Sequence, residues 1–316
     1  MTLSLKSLAQ NLDPAGPRSS LRAMLRRPSG PLRLSARAAQ FSVMTHNMAL
    51  LVFPGDYLGT DREGAIAEIS ARIRALTPDV VGLCEVFSDG ERDQIRGSLR
   101  DLYPHFQEGP DEADVESDGG LLLLSRHPLL AVNSFIYRDC DGNDCFANKG
   151  MIHIRVRGGS WLTALDVFYT HAQDISTEDG VDTLYAQLSK MQEFIQAHAD
   201  PALPAVVMGD LNIPAANSQH YTQMLIRLAG MRDCWTIAGN QVWTGPTSVR
   251  ETSFHEDIDD RPAHDERLDY VLIRAGIRAI PMVSGMEILR FTRNGRFISD
   301  HFGVRTVFET TALVGP

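Results

Sequence analysis

The chain has 316 residues, of which 43% are hydrophobic and 22% are charged, as in a soluble globular protein. Its four cysteines are too few for a disulfide scaffold, and they lack the CxxC spacing of a structural zinc site. The net charge is −10, and because residues 1–40 carry +6, the remainder carries −16. So acidic a body argues against non-specific binding to a polyanion.

Residues 1–40 form a basic arm with prolines at positions 14, 17, 28 and 31, which predicts a flexible leader. An Arg-rich, acid-poor segment could instead be a membrane-surface or targeting segment. We find no stretch long and apolar enough for a transmembrane helix, and the arm lacks the apolar core of a signal peptide. We therefore expect a soluble protein and favour a cytoplasmic location. We also expect one domain at 41–310 and a C-terminal tail at 311–316.

The first half of the chain alternates between predicted strands and helices. A strand at 41–47 precedes a helix that starts at a capping box at 60–63 and ends at Thr77-Pro78. A buried strand at 79–84 and a helix at 90–102 follow. Strands at 121–125 and 129–137 are expected to pair across His127-Pro128, and strands at 150–157 and 161–170 across the turn at 158–160.

The second half continues with a long amphipathic helix through 181–195, a strand at 205–209 and a helix at 217–228. Three strands, at 267–273, 277–283 and 302–308, complete the chain. Many neighbouring strands are joined by hairpins, which favours mixed or antiparallel sheets covered by helices over a doubly wound parallel sheet. Cys140 and Cys145 could form a local disulfide in an oxidising compartment or stay reduced in the cytosol.

Five predicted strand ends carry polar side chains directly after an apolar run. They hold Asn47, Glu85, His171, Asp210, Asn212, Asp300 and His301. An ionised carboxylate at a buried strand end is unfavourable unless a cation or a donor meets it. The repeated pattern therefore predicts one site assembled from distant parts of the chain, although any single Asp or Asn there could simply form a turn.

The chemistry of this set favours a hard divalent cation. Carboxylate and amide oxygens dominate, which suits Mg²⁺, Mn²⁺ or Ca²⁺ better than Zn²⁺. His301 could act as a base near neutral pH, oriented by Asp269, an acidic residue inside an otherwise apolar strand. Asp269 could alternatively be satisfied by backbone donors. His171 could hydrogen-bond or protonate a phosphoryl oxygen.

These residues, in this order, resemble the endonuclease/exonuclease/phosphatase superfamily with its deoxyribonuclease I-like fold. Within it, the chain is most similar to bacterial neutral sphingomyelinases, over nearly all of residues 41–308. The motifs that carry the resemblance are 45–48 (THNM), 78–87, 118–120 (DGG), 123–125 (LLS), 148–150 (NKG), 170–173 (THAQ), and 209–212 (GDLN) with Ser218, Tyr221, Met224 and Leu225 after it.

The resemblance implies a four-layer α/β/β/α sandwich and metal-dependent phosphodiester hydrolysis. It implies that Glu85 is the main metal ligand, that Asn47 contacts the metal or the phosphate, and that Asp300 binds the metal or supports the Asp269–His301 pair. It further implies that Asp210 and Asn212 position the water and the phosphate, and that His301 is the general base oriented by Asp269. His171 would stabilise the developing charge or assist the leaving group.

One departure concerns lipid binding. Secreted sphingomyelinases of this type carry an aromatic hairpin before the SDH motif, whereas residues 274–299 here contain only Phe291 and Phe297 as aromatics, together with several arginines. We predict a monomeric Mg²⁺-dependent phosphodiesterase, sphingomyelinase-like, whose substrate could be a phospholipid at a membrane surface. A nuclease, a phosphoinositide or small-ester phosphatase, and an inactive binding module remain alternatives, with nucleic acid the weaker substrate prediction.

Overall fold

A computed structural model describes residues 39–51, 61–111, 118–158, 164–249, 264–277 and 281–310. All of these belong to one compact unit, Ala36–Pro316. Most of the predicted basic arm lies outside the described residues, as do Thr60 of the capping box, the turn at 159–160, the first residues of the strand predicted at 161–170, residues 278–280 and the C-terminal tail. The domain boundaries therefore stay a prediction.

The strands in chain order are β1 (Ala39–Leu50), β2 (Val80–Val86), β3 (His105–Glu108), β4 (Leu122–Ser125), β5 (Leu129–Ile136), β6 (Gly150–Arg157), β7 (Ala164–His171), β8 (Ala205–Asp210), β9 (Arg232–Asp233), β10 (Asp269–Arg274), β11 (Met282–Leu289), β12 (Thr292–Arg293), β13 (Arg296–Phe297) and β14 (Gly303–Thr310). The α-helices are α1 (Arg62–Leu76), α2 (Asp89–Leu99), α3 (Glu178–His198), α4 (Ser218–Arg227) and α5 (Cys234–Ile237), and a 3₁₀ turn covers Gly142–Phe146.

The strands form two six-stranded sheets and a small hairpin, β12-β13. The first sheet has the order β11-β14-β1-β2-β4-β3 and the second β5-β6-β7-β8-β10-β9. Each sheet contains one parallel pair, β1 with β2 and β7 with β8, among otherwise antiparallel neighbours in the described residues. The prediction of mixed sheets is confirmed.

Three hydrophobic clusters define four layers. One lies between the sheets and joins residues such as Val80 and Leu123 to Tyr169 and Val206. The other two pack α1 and α2 against the first sheet, and α3 and α4 against the second. Each fully buried Leu or Ile side chain stabilises such a layer by about 1.5–3 kcal/mol. The predicted α/β/β/α sandwich is confirmed.

Helix α1 shows how sequence produces one of these layers. Ile66, Ile69 and Ile73 recur at helical spacing and are buried against the first sheet. Asp61 caps the helix, since its Oδ1 accepts from Gly64 N at 2.8 Å. The cap is therefore one residue later than the predicted capping box. No helix in the described part of the chain is long and apolar enough to cross a membrane.

One predicted strand pairing and the bounds of one predicted strand are wrong. β4 and β5 do not pair with each other but belong to different sheets, and β4 lies instead between β2 and β3. All four residues of β4 are buried, so this strand needs neighbours on both sides, whereas β5 alternates in burial as a sheet edge does. The strand predicted at 277–283 is observed as β11, a half-buried edge strand that continues to Leu289.

A buried ion cluster in the second sheet generates a stability prediction. Asp166 is fully buried and accepts hydrogen bonds from His153 Nε2 (2.9 Å), Arg155 Nε (2.7 Å) and Asp200 N (2.8 Å). Asp166→Asn should lower the free energy of unfolding by about 3–5 kcal/mol, because the arginine is left without its charge partner. Urea unfolding measures this.

The matched control is Glu193→Gln, which removes a carboxylate from an exposed pair with Lys190. Its effect should stay below about 1 kcal/mol. Equal losses in the two variants would show that the Asp166 cluster contributes no more than a surface ion pair.

Candidate active site

The parallel pair of the first sheet brings Asn47 and Glu85 to one end. Asn47 lies opposite Cys84 in the register of β1 and β2, next to Glu85. Asn47 Nδ2 donates to Glu85 Oε1 at 2.7 Å. Glu85 has φ +54°, a left-handed conformation that is strained for a side chain other than glycine. Strain of this kind clusters at functional sites.

The parallel pair of the second sheet does the same for His171 and Asp210, which lie opposite each other in β7 and β8. Gly209 permits this approach, since a Cβ there would lie 1.9 Å from Thr170 O. Asp210 Oδ1 accepts from Asn212 N at 2.9 Å, and Asn212 Nδ2 donates to Ala172 O at 2.9 Å. The turn after β8 is therefore held by the side chains predicted to act there.

The two strand ends meet across the sandwich. The amide of Asn47 that donates to Glu85 also donates to Asp210 Oδ2, at 3.1 Å. His171 Nε2 lies 3.7 Å from Glu85 Oε1 and 3.9 Å from Asp210 Oδ2. Side chains that are up to 163 residues apart thus form one polar cluster.

The cluster extends to an Asp–His pair. Asp269 begins β10 opposite Asp210, and His301 Nδ1 donates to Asp269 Oδ2 at 2.8 Å. His301 Nδ1 also lies 3.7 Å from Asp210 Oδ2. With Nδ1 bonded to the carboxylate, Nε2 is the ring nitrogen that can accept a proton. The sequence predicted that Asp300 and His301 end a strand. In the structure they lie between β13 and β14 instead.

The electrostatics of the site follow from burial and neighbouring charge. Burial, and next the charge of Asp300, raise the pKa of Glu85 to about 7. Burial, and next the positive charge of Lys149, lower the pKa of His171 to about 3. Burial also opposes protonation of His301, but Asp269 and Asp210 outweigh it and hold the pKa of His301 well above its ordinary value.

These carboxylates fit a divalent cation. Glu85 is largely buried, with 15% of its side chain exposed, and it feels the charge of Asp300 strongly enough to shift its pKa. Such a repelling pair of oxygen donors suits Mg²⁺. Asn47 donates to Glu85 and Asp210 and accepts from Ala49 N, so metal binding by Asn47 itself stays a prediction.

A second grouping, of Asp210, Asp269 and His301, has ligand atoms within 4.8 Å of one another. His301 Nδ1 already donates to Asp269 in this group. A nitrogen that carries a proton cannot bind a metal at the same time. We therefore interpret this grouping as a candidate acid–base pair beside the predicted metal site.

Lys149 is a charged group of the site that the sequence analysis named only as part of a motif. It is buried, with Nζ 3.1 Å from His171 Nε2, 3.0 Å from Ala172 O and 2.6 Å from Asp144 Oδ1. Asp144 belongs to the segment closed by a disulfide between Cys140 and Cys145. The sequence signals for Lys149 were its place in the NKG motif at 148–150 and its position immediately before β6.

Comparison with known proteins identifies the family of the chain. A model of the Endonuclease/Exonuclease/phosphatase family matches residues 44–301. Sphingomyelinase C of Bacillus cereus is 25% identical over 260 residues, which cover 73% of this chain and 74% of that protein.

Two solved structures share the fold. Sphingomyelinase C from Streptomyces griseocarneus superposes with a TM-score of 0.63 at 22% identity, covering 85% of this chain and 99% of that one. TDP2 of D. rerio, complexed with a single-strand DNA product, gives a TM-score of 0.68 at 17% identity and covers 85% and 99%. Because the family model spans most of its length, the chain belongs to the Endonuclease/Exonuclease/phosphatase family and is a metal-dependent phosphoric diester hydrolase.

Proposed function

We propose that the protein is a Mg²⁺-dependent, sphingomyelinase-like phosphodiesterase that cleaves a phospholipid or a related phosphodiester. One observation carries the proposal. Glu85 and Asp210 both accept hydrogen bonds from the side-chain amide of Asn47, and the hydrogen-bonded pair of Asp269 and His301 lies beside Asp210. The substrate class rests on the relative from Bacillus cereus, which is named for sphingomyelin cleavage and matches 73% of this chain.

Glu85 and Asp300 would hold the cation, supported by Asn47. The bound ion would supply positive charge for the non-bridging phosphate oxygens and offset the carboxylates that raise the pKa of His301. Asn47 Nδ2 lies between the two carboxylates and donates to Glu85 Oε1 at 2.7 Å and to Asp210 Oδ2 at 3.1 Å. It would therefore fix the carboxylate geometry before any ligand binds.

His301 is proposed to remove a proton from the attacking water through Nε2. Asp269 is fully buried and accepts from Nδ1, so it holds the ring in one tautomer and stabilises the imidazolium that forms. Asp210 and Asn212 would orient the water and the scissile phosphate. Asp210 suits this role because its Oδ2 lies within 4 Å of both His171 and His301.

His171 and Lys149 would stabilise negative charge that develops on the phosphoryl group. The lowered pKa keeps His171 neutral, and its Nε2 lies 3.1 Å from Lys149 Nζ. The fixed positive charge of this corner is therefore on Lys149. Charge placed in advance where negative charge develops is an effective form of transition-state stabilisation.

The residues before His301 bear on how a lipid would be reached. Phe291 is buried beside His46, with ring centroids 5.2 Å apart, and Phe297 packs on Phe302 at 5.0 Å. Both aromatic side chains therefore pack against other rings of the protein. We propose that catalysis here does not depend on inserting this hairpin, β12-β13, into a bilayer.

The substrate prediction is tested by turnover of sphingomyelin, a lysophospholipid, supercoiled DNA and a phosphoinositide, each with Mg²⁺ and with EDTA. We expect the highest kcat/KM on sphingomyelin or the lysophospholipid, presented as monomers or micelles, and no turnover in EDTA. Preference for DNA or the phosphoinositide would replace the lipid assignment. The absence of turnover on every substrate would favour a binding module.

Glu85→Gln removes a charge while keeping side-chain size, and it tests the metal assignment. We expect the loss of Mg²⁺-dependent hydrolysis and of the rise in Tm on adding Mg²⁺. In the metal-free protein at about pH 8, Tm should stay equal or rise. The pKa of Glu85 is higher when folded than unfolded, so its ionised form destabilises the fold.

Glu193→Gln serves as the control for this variant too, since it removes an exposed carboxylate on α3. It should keep both the hydrolysis and the metal-induced rise in Tm. A Glu85→Gln enzyme that retained Mg²⁺-dependent activity would remove Glu85 from the metal site.

His301→Ala should lower kcat by about 10²–10⁴ with little change in KM, the range for losing a positioned base. Steady-state kinetics with bis(p-nitrophenyl) phosphate measures both constants. His105→Ala, on the edge strand β3, is the control and should be unchanged. A change confined to KM would assign His301 to binding instead of proton transfer.

A further inference from the structure

We propose that Thr247 is the positioning residue that holds Asp269 and His301 together across the two sheets. The inference rests on the proposed function of that pair. Thr247 lies outside every motif of the sequence analysis and is fully buried.

Packing of the two sheets does not by itself explain how Asp269 and His301 are held within hydrogen-bond distance of each other. Asp269 starts β10 in the second sheet, whereas His301 precedes β14 in the first. Packed sheets lie about 10 Å apart and are held together by non-directional side-chain contacts. The 2.8 Å bond between His301 Nδ1 and Asp269 Oδ2 needs a directional connection between the two backbones.

Thr247 provides that connection on the Asp269 side through its hydroxyl. Thr247 Oγ1 accepts from Leu268 N at 3.0 Å and from Asp269 N at 3.1 Å. The backbone of Thr247 adds a third contact shortly before this strand begins, since its N donates to Glu266 O at 2.8 Å. The start of β10 is thus fixed at the residue that carries the carboxylate.

The same residue holds the His301 side through its carbonyl. Phe302 N, immediately after His301, donates to Thr247 O at 2.6 Å. Ser248 forms antiparallel bridges with both Glu266 and His301. The segment around Thr247 therefore acts as a short strand between the two halves of the pair.

Burial makes the hydroxyl hard to replace. A buried donor that loses its acceptor retains its full desolvation penalty, because water does not reach it. Without the hydroxyl, the amides of Leu268 and Asp269 would shift to find other acceptors, and the Asp269 carboxylate would move with its backbone. A displacement near 1 Å in a catalytic group can lower the rate by about 10²-fold.

The test is a graded series at position 247, assayed with bis(p-nitrophenyl) phosphate and Mg²⁺. Thr247→Val is isosteric and lacks the acceptor, so kcat should fall by between about 10-fold and 100-fold while KM changes by less than about threefold. Thr247→Ser keeps the hydroxyl and should restore kcat. In the Val variant, the low-field proton NMR signal of the His301 Nδ1–H should weaken or shift.

Thr306→Val is the matched control, since Thr306 is equally buried but its hydroxyl has no hydrogen-bond partner among the described residues. It should leave kcat and the NMR signal unchanged. If the Val variant does not fold, Thr247→Cys carries the test, because a thiol is a weaker acceptor. Its kcat should lie below that of the Thr and Ser forms.

The results for these variants distinguish the role of Thr247 from the proposed role of the Asp269–His301 pair. A folded Thr247→Val enzyme with kcat within about twofold of wild type overturns the role of Thr247 if His301→Ala is still strongly impaired. If His301→Ala is itself unimpaired, the proposed acid–base pair fails instead. Equal losses in the Val and Ser variants would also overturn the role of the hydroxyl.

Discussion

The close approach of acidic side chains is the constraint on which this site depends. Glu85 and Asp210 come from different sheets, yet both accept hydrogen bonds from one amide of Asn47. Asp300 is near enough to raise the pKa of Glu85. Partly buried carboxylates repel each other, so donors and cations must hold them in the fold. The same repulsion is the physical reason for our proposal that the cluster binds a divalent ion.

The two mixed sheets are the means by which this cluster is built. In each sheet one parallel pair ends at the site, β1 with β2 and β7 with β8. Each sheet also has an antiparallel strand that begins there, β14 beside β1 and β10 beside β8. Ends and starts of strands therefore meet at one edge of the sandwich. An all-antiparallel meander would bring fewer strand ends to that edge.

The backbone is strained at two of the predicted site residues. Glu85 and Asn212 both have positive φ, each at an expense of roughly 1–3 kcal/mol. Asn212 is held in this conformation by the bond from its N to Asp210 Oδ1. The layers on both sides of the two sheets, packed with fully buried side chains, supply the stability that such strain requires.

The sequence by itself determined the fold class, the helical layers and the set of polar strand-end residues. Apolar periodicity is a local property, so α1 and α3 could be predicted with their buried faces. Tertiary structure decided which sheet each strand joins, and it separated β4 from β5 against expectation. It also decided that Asn47 bridges two carboxylates, that Lys149 meets His171, and that Thr247 joins β10 to the segment carrying His301. Strand partners and side-chain contacts of this kind arise from long-range packing, which no local pattern in the chain encodes.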